Sequence, residues 1–279
     1  MLGAIIGDTV GSAYEFNNTK NYNLPLFTVG SGYTDDSLMS MAVATWLIQD
    51  PSHSHNTLEK IMVDFAAHCP CPKGGFGPAF LNWLFYPERL PLGTDGKRHP
   101  YGSWGNGSAM RVSAVGWFFD TLDETERVAG ISADITHNHP EGIKGAKATA
   151  AAIWLARNGK SKKEIREYIE STYGYDLSTS WEEYHRTYGW DVSCQGTVPP
   201  AIGCFLESTD FEDAIRKAVS IGGDSDTLAC ITGGMAEAFY GVIPEYLSEP
   251  VLEMFPKAFN DVLDYMKAHT AYGKPFPIR

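Results

Sequence analysis

The chain lacks the features that would place it in a membrane, on nucleic acid or outside the cell. No window of about 18 uncharged apolar residues occurs, so no membrane-spanning helix is expected. The opening stretch MLGAIIGDTVGSAYE has no basic residues ahead of its apolar run, and Asp8 interrupts that run. It does not read as a secretory leader, and a cytoplasmic location is expected. Positive charge is short: 22 Lys and Arg against 34 Asp and Glu leave a net charge of −12. Broad binding to nucleic acid or an anionic membrane needs the opposite balance, although an anionic ligand in a local pocket remains compatible. Cysteine is sparse and odd in number, five in 279 residues, which excludes a disulfide framework. Cys69 and Cys71, near His68 in HCPCPKGG, lack both the C-x2-C spacing and the second pair of a zinc knuckle, and read as incidental thiols in a loop. Convincing alternating strands, internal repeats and a Pro-, Gly- or Ser-rich linker are also missing.

What the chain does have is helical periodicity. DDSLMSMAVATWLIQ carries Leu38, Met41, Ala42, Thr45, Trp46 and Ile48 on one broad face. HPEGIKGAKATAAAIWLARNG runs from a proline near its start to a glycine stop after Asn158. SKKEIREYIESTYG opens with Ser161 and Glu164 at capping-box spacing. DFEDAIRKAVSIGG and SEPVLEMFPKAFNDVLDYMKAH are further amphipathic candidates. The longest irregular stretch, from Pro70 to Asn106, is expected to hold functional loops. The pattern predicts one compact all-α domain spanning residues 1–279, with about ten to twelve helices.

Two acidic motifs stand out. Thr34, Asp35 and Asp36 in YTDDSLM precede one apolar helix; Asp224, Asp226 and Thr227 in GGDSDTLACITGG precede another. Either motif alone is a plausible helix start, since aspartate caps free N–H groups and suits the positive end of the dipole. Together they present six oxygen ligands, the type and number that hard divalent cations take. Two cations about 4 Å apart would let the carboxylates lie close without repelling. The glycine loop SWGNGSAMR offers backbone N–H groups at Gly105, Gly107 and Ser108 that suit phosphate, or simply a turn and a cap. Glu15 reads from composition as a surface charge, and His137 and His139 as turn caps or pocket residues.

As a set, and in this order, GDTVGSAYE, YTDDSLM, GNGSAMR, THNHPEGIKGA and GGDSDTLACITGGMAEAFYG resemble the ADP-ribosylglycohydrolase family, which includes the dinitrogenase-reductase-activating glycohydrolase and the ADP-ribosyl-acceptor hydrolases. The resemblance runs from Leu2 to about Gly241. It implies an orthogonal all-α helical bundle with two Mg2+ or Mn2+ ions held by Thr34, Asp35, Asp36, Asp224, Asp226 and Thr227. It implies catalytic roles for Glu15, Asp36 and Asp226, and substrate binding by Gly105, Asn106, Gly107, Ser108 and His137. Ser37 and Ser225 replace threonines of the family patterns TDDT and GGDTDT, at positions that carry no metal role. The segment from Tyr173 to Gln195, rich in aromatics including Trp181, Tyr184, His185, Tyr188 and Trp190, matches no family motif and either lines the acceptor side or packs, with packing the preferred reading; Tyr101 and Trp104 would either stack on adenine or pack.

The activity so implied is hydrolysis at C1 of the distal ribose of ADP-ribose, removing ADP-ribose from a modified protein or small-molecule conjugate. Glu15 would activate water or protonate the leaving group. Arginine, serine, phosphate, acetyl-ester or nucleic-acid acceptors would all leave from the same carbon, so the motifs do not discriminate among them. Two alternatives stand beside it: a two-metal phosphohydrolase that cuts the diphosphate, and a non-catalytic ADP-ribose-binding module.

Overall fold

A computed structural model describes residues 1–273; residues 274–279, the end of the expected domain, lie outside it. Among the described residues the chain forms fifteen α-helices and no strand, with one isolated bridge between Gly105 and Ser193. The helices are α1 (Leu2–Gly11), α2 (Asp35–Gln49), α3 (His55–His68), α4 (Pro78–Phe85), α5 (Gly107–Met110), α6 (Ser113–Phe118), α7 (Leu122–Asp134) and α8 (Pro140–Arg157), followed by α9 (Lys162–Tyr173), α10 (Trp181–Thr187), α11 (Cys194–Glu207), α12 (Phe211–Ser220), α13 (Ser225–Tyr240), α14 (Glu245–Met254) and α15 (Lys257–His269).

The all-α expectation holds, but there are more helices than ten to twelve, for local reasons. The supposedly irregular stretch contains α4, whose apolar PAFLNWLF begins with a proline at the first turn, where its fixed φ suits a helix. The long C-terminal candidate is split, because Phe255, ahead of Pro256, is pushed into extended backbone (φ −76°, ψ 140°). The capping box at Ser161 and Glu164 forms as read, and His139 caps α8 by accepting from the Glu141 amide.

The centre of the molecule is α13, whose residues from Ser225 to Ala238 are all buried, with α1 lying along it. A helix apolar all round belongs inside a fold. α2 is likewise buried on every side from Asp35 to Leu47 rather than on one face, because α1, α3, α6 and α15 pack around it. The α1–α13 contact is made by backbone. Gly3, Gly7 and Gly11 recur every four residues and so share one face of α1. A Cβ on each would lie 2.4 Å from Gly233 O, 1.9 Å from Ala229 O and 2.4 Å from Ser225 O.

These distances leave no room for a methyl group. Gly7→Ala must push α1 off α13, and overpacking of this kind costs about 1–3 kcal/mol or more. Thermal unfolding of Gly7→Ala is expected on the order of 5 °C below wild type; an unchanged Tm would contradict the close approach.

Candidate active site

α1 contributes more than packing. Asp8 is the one carboxylate in that apolar helix, and it is fully buried. It accepts from the Thr34 amide (3.0 Å), the Thr34 hydroxyl (2.9 Å), the Ser37 amide (3.1 Å) and the Ser37 hydroxyl. Burial pushes its pKa up to about 6 against the pull of these four donors. Asp8 thus clamps the first turn of α2. The N-cap of α2 is Thr34, whose hydroxyl accepts from the Asp36 amide, so neither Asp35 nor Asp36 serves as the cap. On the other side the Asp35 amide donates to Gly74 O (2.9 Å). Gly75 has φ +120°, and a Cβ there would lie 2.0 Å from Asp35 Oδ1, so only glycine lets this loop pass.

The second motif behaves in the same way. Asp224 occupies the N-cap position of α13 but makes no capping bond; its Oδ2 accepts from Asn106 Nδ2 at 2.6 Å. Ser225 donates to Tyr14 O and Gly223 O, and with Ser37 on Asp8, both departures from the family pattern hold local structure. The end of α1 abuts this turn: a Cβ on Gly11 would lie 2.5 Å from Asp226 Cα. One carboxylate oxygen each from Glu15, Asp224 and Asp226 come within 4.8 Å of one another. Glu15, half-buried, therefore sits at the carboxylate centre and not on the outer surface.

Asp36 Oδ2 and Asp226 Oδ1 are buried with no hydrogen-bond partner. Burial first, and then neighbouring carboxylates, push Asp35, Asp36 and Asp226 well above the usual carboxylate range. Burial and the charge of Asp224 raise Glu15 to about 7. Such a cluster must bind protons or a cation. Its donors are all oxygen and mostly charged, so the residues fit a hard divalent cation.

The centre opens into a cavity of about 420 Å3, a size suited to a small-molecule ligand. Glu15, Asp35, Asp36, Asp224, Asp226 and Thr227 line it together with Gly105, Asn106, Gly107 and His137. Two of the expected residues do not. The Thr34 hydroxyl lies between Asp8 and the Asp36 amide, with one lone pair left. Ser108 Oγ donates to Gly142 O (2.7 Å), which fixes the glycine loop to α8. His137 is buried, and burial together with the charge of Arg111 lowers its pKa well below the ordinary value, so the ring is neutral. A Cβ on Gly107 would lie 3.1 Å from His137 Nε2, which explains a glycine there.

Several cavity residues were given no role by the motifs, Arg111 at the end of GNGSAMR among them. Arg111 is buried in the wall, where it donates to Ser132 O (2.8 Å) and Thr136 Oγ1 (2.9 Å). Tyr101 lines the cavity, whereas Trp104 packs edge-on against His139 outside it. In the aromatic-rich segment, Trp181, Tyr184 and Tyr188 pack on the core as expected. Trp190 instead reaches the cavity mouth and stacks on Phe16, centroids 5.7 Å apart.

The sequence profile of the ADP-ribosylglycohydrolase family matches residues 1–273, so the chain belongs to that family and is an enzyme of that class. Human ADP-ribosylhydrolase ARH3 is 26% identical over 324 residues, a match covering 88% of this chain and 86% of the human protein. ADP-ribosylarginine hydrolase Tri1 of Pseudomonas putida is 26% identical over 259 residues, covering 87% of this chain and 70% of Tri1. A solved structure described as an ADP-ribosylglycohydrolase-related protein complex shares the fold with a TM-score of 0.64 at 22% identity, covering 95% of this chain and 96% of that one. No helix among the described residues is long and apolar enough to cross a membrane.

The raised carboxylate pKa values have a sign. A carboxylate whose folded pKa lies above its unfolded one destabilises the fold as pH rises through the folded value. With cations chelated, Asp226→Asn removes one such group and relaxes its neighbours, Glu15 at about 7 among them. The variant is expected to gain Tm over wild type at about pH 8 and to lose most of that gain by about pH 5. An equal Tm difference at both pH values would contradict the buried charge cluster.

Proposed function

We propose that this enzyme hydrolyses the glycosidic bond at C1 of the distal ribose of ADP-ribose, releasing ADP-ribose from a modified protein or a small-molecule conjugate. The observation that carries the reading is the meeting of Glu15, Asp224 and Asp226 within 4.8 Å at one cavity with Gly105, Gly107 and His137. Family membership supplies the chemistry that such a site serves. On this reading the whole chain acts as one domain, in the cytoplasm.

Asp35, Asp36, Asp224, Asp226 and Thr227, with Thr34 behind them, would hold two divalent cations, Mg2+ or Mn2+, which when bound supply Lewis-acid orientation of hydroxyls and a lower pKa for water. The protein's own groups do the rest. Burial and the charge of Asp224 raise Glu15 to about 7 in the cation-free centre, and its carboxyl can give or take a proton. It is the group proposed to assist departure of the acceptor or entry of water. The Gly107 amide is proposed to receive the diphosphate, while Gly105 and Asn106, whose own amides donate to Ser103 Oγ (3.1 Å) and Val192 O (2.8 Å), shape the wall beside it. The neutral His137 ring contributes a hydrogen bond, and the nearby charge of Arg111 favours an anion in that part of the cavity.

The printed name of Tri1 makes arginine-linked ADP-ribose the first conjugate to offer. Arginine-linked, serine-linked and small-molecule conjugates would be compared by mass spectrometry with Mg2+, with Mn2+ and with EDTA. Metal-dependent release of intact ADP-ribose is expected from at least one. Release of AMP would move the enzyme to the phosphohydrolases, and binding without release would make it a non-catalytic module. Asp36→Asn and Asp226→Asn are expected to abolish turnover with the fold intact, and Glu15→Gln to lower kcat by about 10²–10⁴-fold. Full activity in either aspartate variant would remove the metal-dependent mechanism.

A further inference from the structure

The loop after α1 carries Glu15 to the cavity, where one of its carboxylate oxygens lies within 4.8 Å of oxygens of Asp224 and Asp226. On one side Tyr14 is buried in the core and its carbonyl accepts from Ser225 Oγ, whereas on the other Phe16 is 84% exposed. Asn18 ties this exposed side. Its Nδ2 group is shared among three carbonyls, Tyr14 O (2.7 Å), Glu15 O (2.7 Å) and Gly223 O (2.9 Å). Its Oδ1 accepts from the Gly223 amide at 2.7 Å.

Both polar groups of Gly223 thus meet one side chain, although the two residues lie 205 positions apart. This requires a turn that shows its amide and carbonyl to the same side. Consecutive left-handed residues provide it, with φ +74° at Gly222 and +76° at Gly223. The turn is wedged from behind as well: a Cβ on Gly223 would lie 2.6 Å from Tyr188 Cε1 and 2.7 Å from Gly189 O. Lys20 adds a further tie, donating to Ile221 O and to Tyr188 O. The next residue after the turn is Asp224.

We propose that Asn18 is a positioning residue for the reaction: it joins the backbone of Glu15 to the backbone leading into Asp224, so that Glu15 is held where it meets Asp224 and Asp226. The proposal rests on the reading of Glu15 as the proton-transfer group. Asn18 touches neither the cavity nor the reacting atoms, and it acts through the two segments it holds.

The test compares Asn18→Ala with Asn17→Ala, an exposed neighbour in the same loop. Four quantities are read: kcat at saturating Mn2+, Kd for free ADP-ribose at saturating Mn2+, Tm, and Mn2+ affinity without substrate from the electron paramagnetic resonance of the free ion. Asn18→Ala is expected to lower kcat on the order of a hundredfold and to weaken Mn2+ binding several-fold. Kd for ADP-ribose should stay within about twofold, Tm should stay near wild type, and Asn17→Ala should match wild type throughout. Unchanged kcat and Mn2+ affinity in Asn18→Ala would overturn the proposal. A fall in kcat accompanied by weaker ADP-ribose binding and a lower Tm would also overturn it, since that pattern reports general loosening. If wild type releases ADP-ribose from no conjugate, the functional reading falls, and the Mn2+ titration decides on Asn18 by itself: weaker binding supports the tie and unchanged binding refutes it.

Discussion

The structure depends on the backbone-to-backbone contact between α1 and α13. Gly3, Gly7 and Gly11 bring the two helices closer than any side chain would permit. That approach puts the end of α1 against Asp226 and places Asp8 where it clamps the first turn of α2. Two acidic motifs about 190 residues apart in sequence are thereby set on one short path: Asp8 orders the first, and the end of α1 abuts the second. The loop that leaves α1 then brings Glu15 to the same place. One helix therefore supplies the seat, the clamp and the lead to Glu15.

The price of this arrangement is electrostatic. Carboxylates buried together push one another toward the protonated form, and Asp36 Oδ2 and Asp226 Oδ1 have no internal donor. Capping would have relieved them, yet Thr34 caps α2 and Asp224 bonds Asn106 instead. The fold keeps these oxygens free of internal bonds. A divalent cation would satisfy them where protein donors do not, and its charge would offset the repulsion. Function and instability thus share one origin, as expected where local rules are broken at a working site.

Much of this was legible in the sequence. Helical periodicity and missing alternation gave the all-α class, and the capping box at Ser161 and Glu164 was readable from spacing alone. The acidic motifs were visible because paired aspartates before an apolar helix need explaining. The role of α1 was not recognised, although its signals were present: glycines at every fourth position of an apolar helix, and a single carboxylate, Asp8, among them. Arg111 carries the same kind of signal, a lone charge in the apolar run AMRVSAVGW. Asn18 is not legible in this way, and Trp190 only as one of several aromatics that either line the acceptor side or pack. Their roles depend on contacts with Gly223 and Phe16, which are remote in sequence, and an exposed asparagine or tryptophan in a loop has no periodicity. The helix count was low because proline both starts α4 and divides α14 from α15, and periodicity alone does not tell these uses apart.

The most direct test of the central claim is anomalous diffraction at the manganese edge from crystals grown with Mn2+. The account predicts anomalous peaks within about 2.3 Å of Asp36 Oδ2 and Asp226 Oδ1, the oxygens left without partners. A saturated crystal with no peak at these atoms, or with manganese bound only elsewhere, would contradict it.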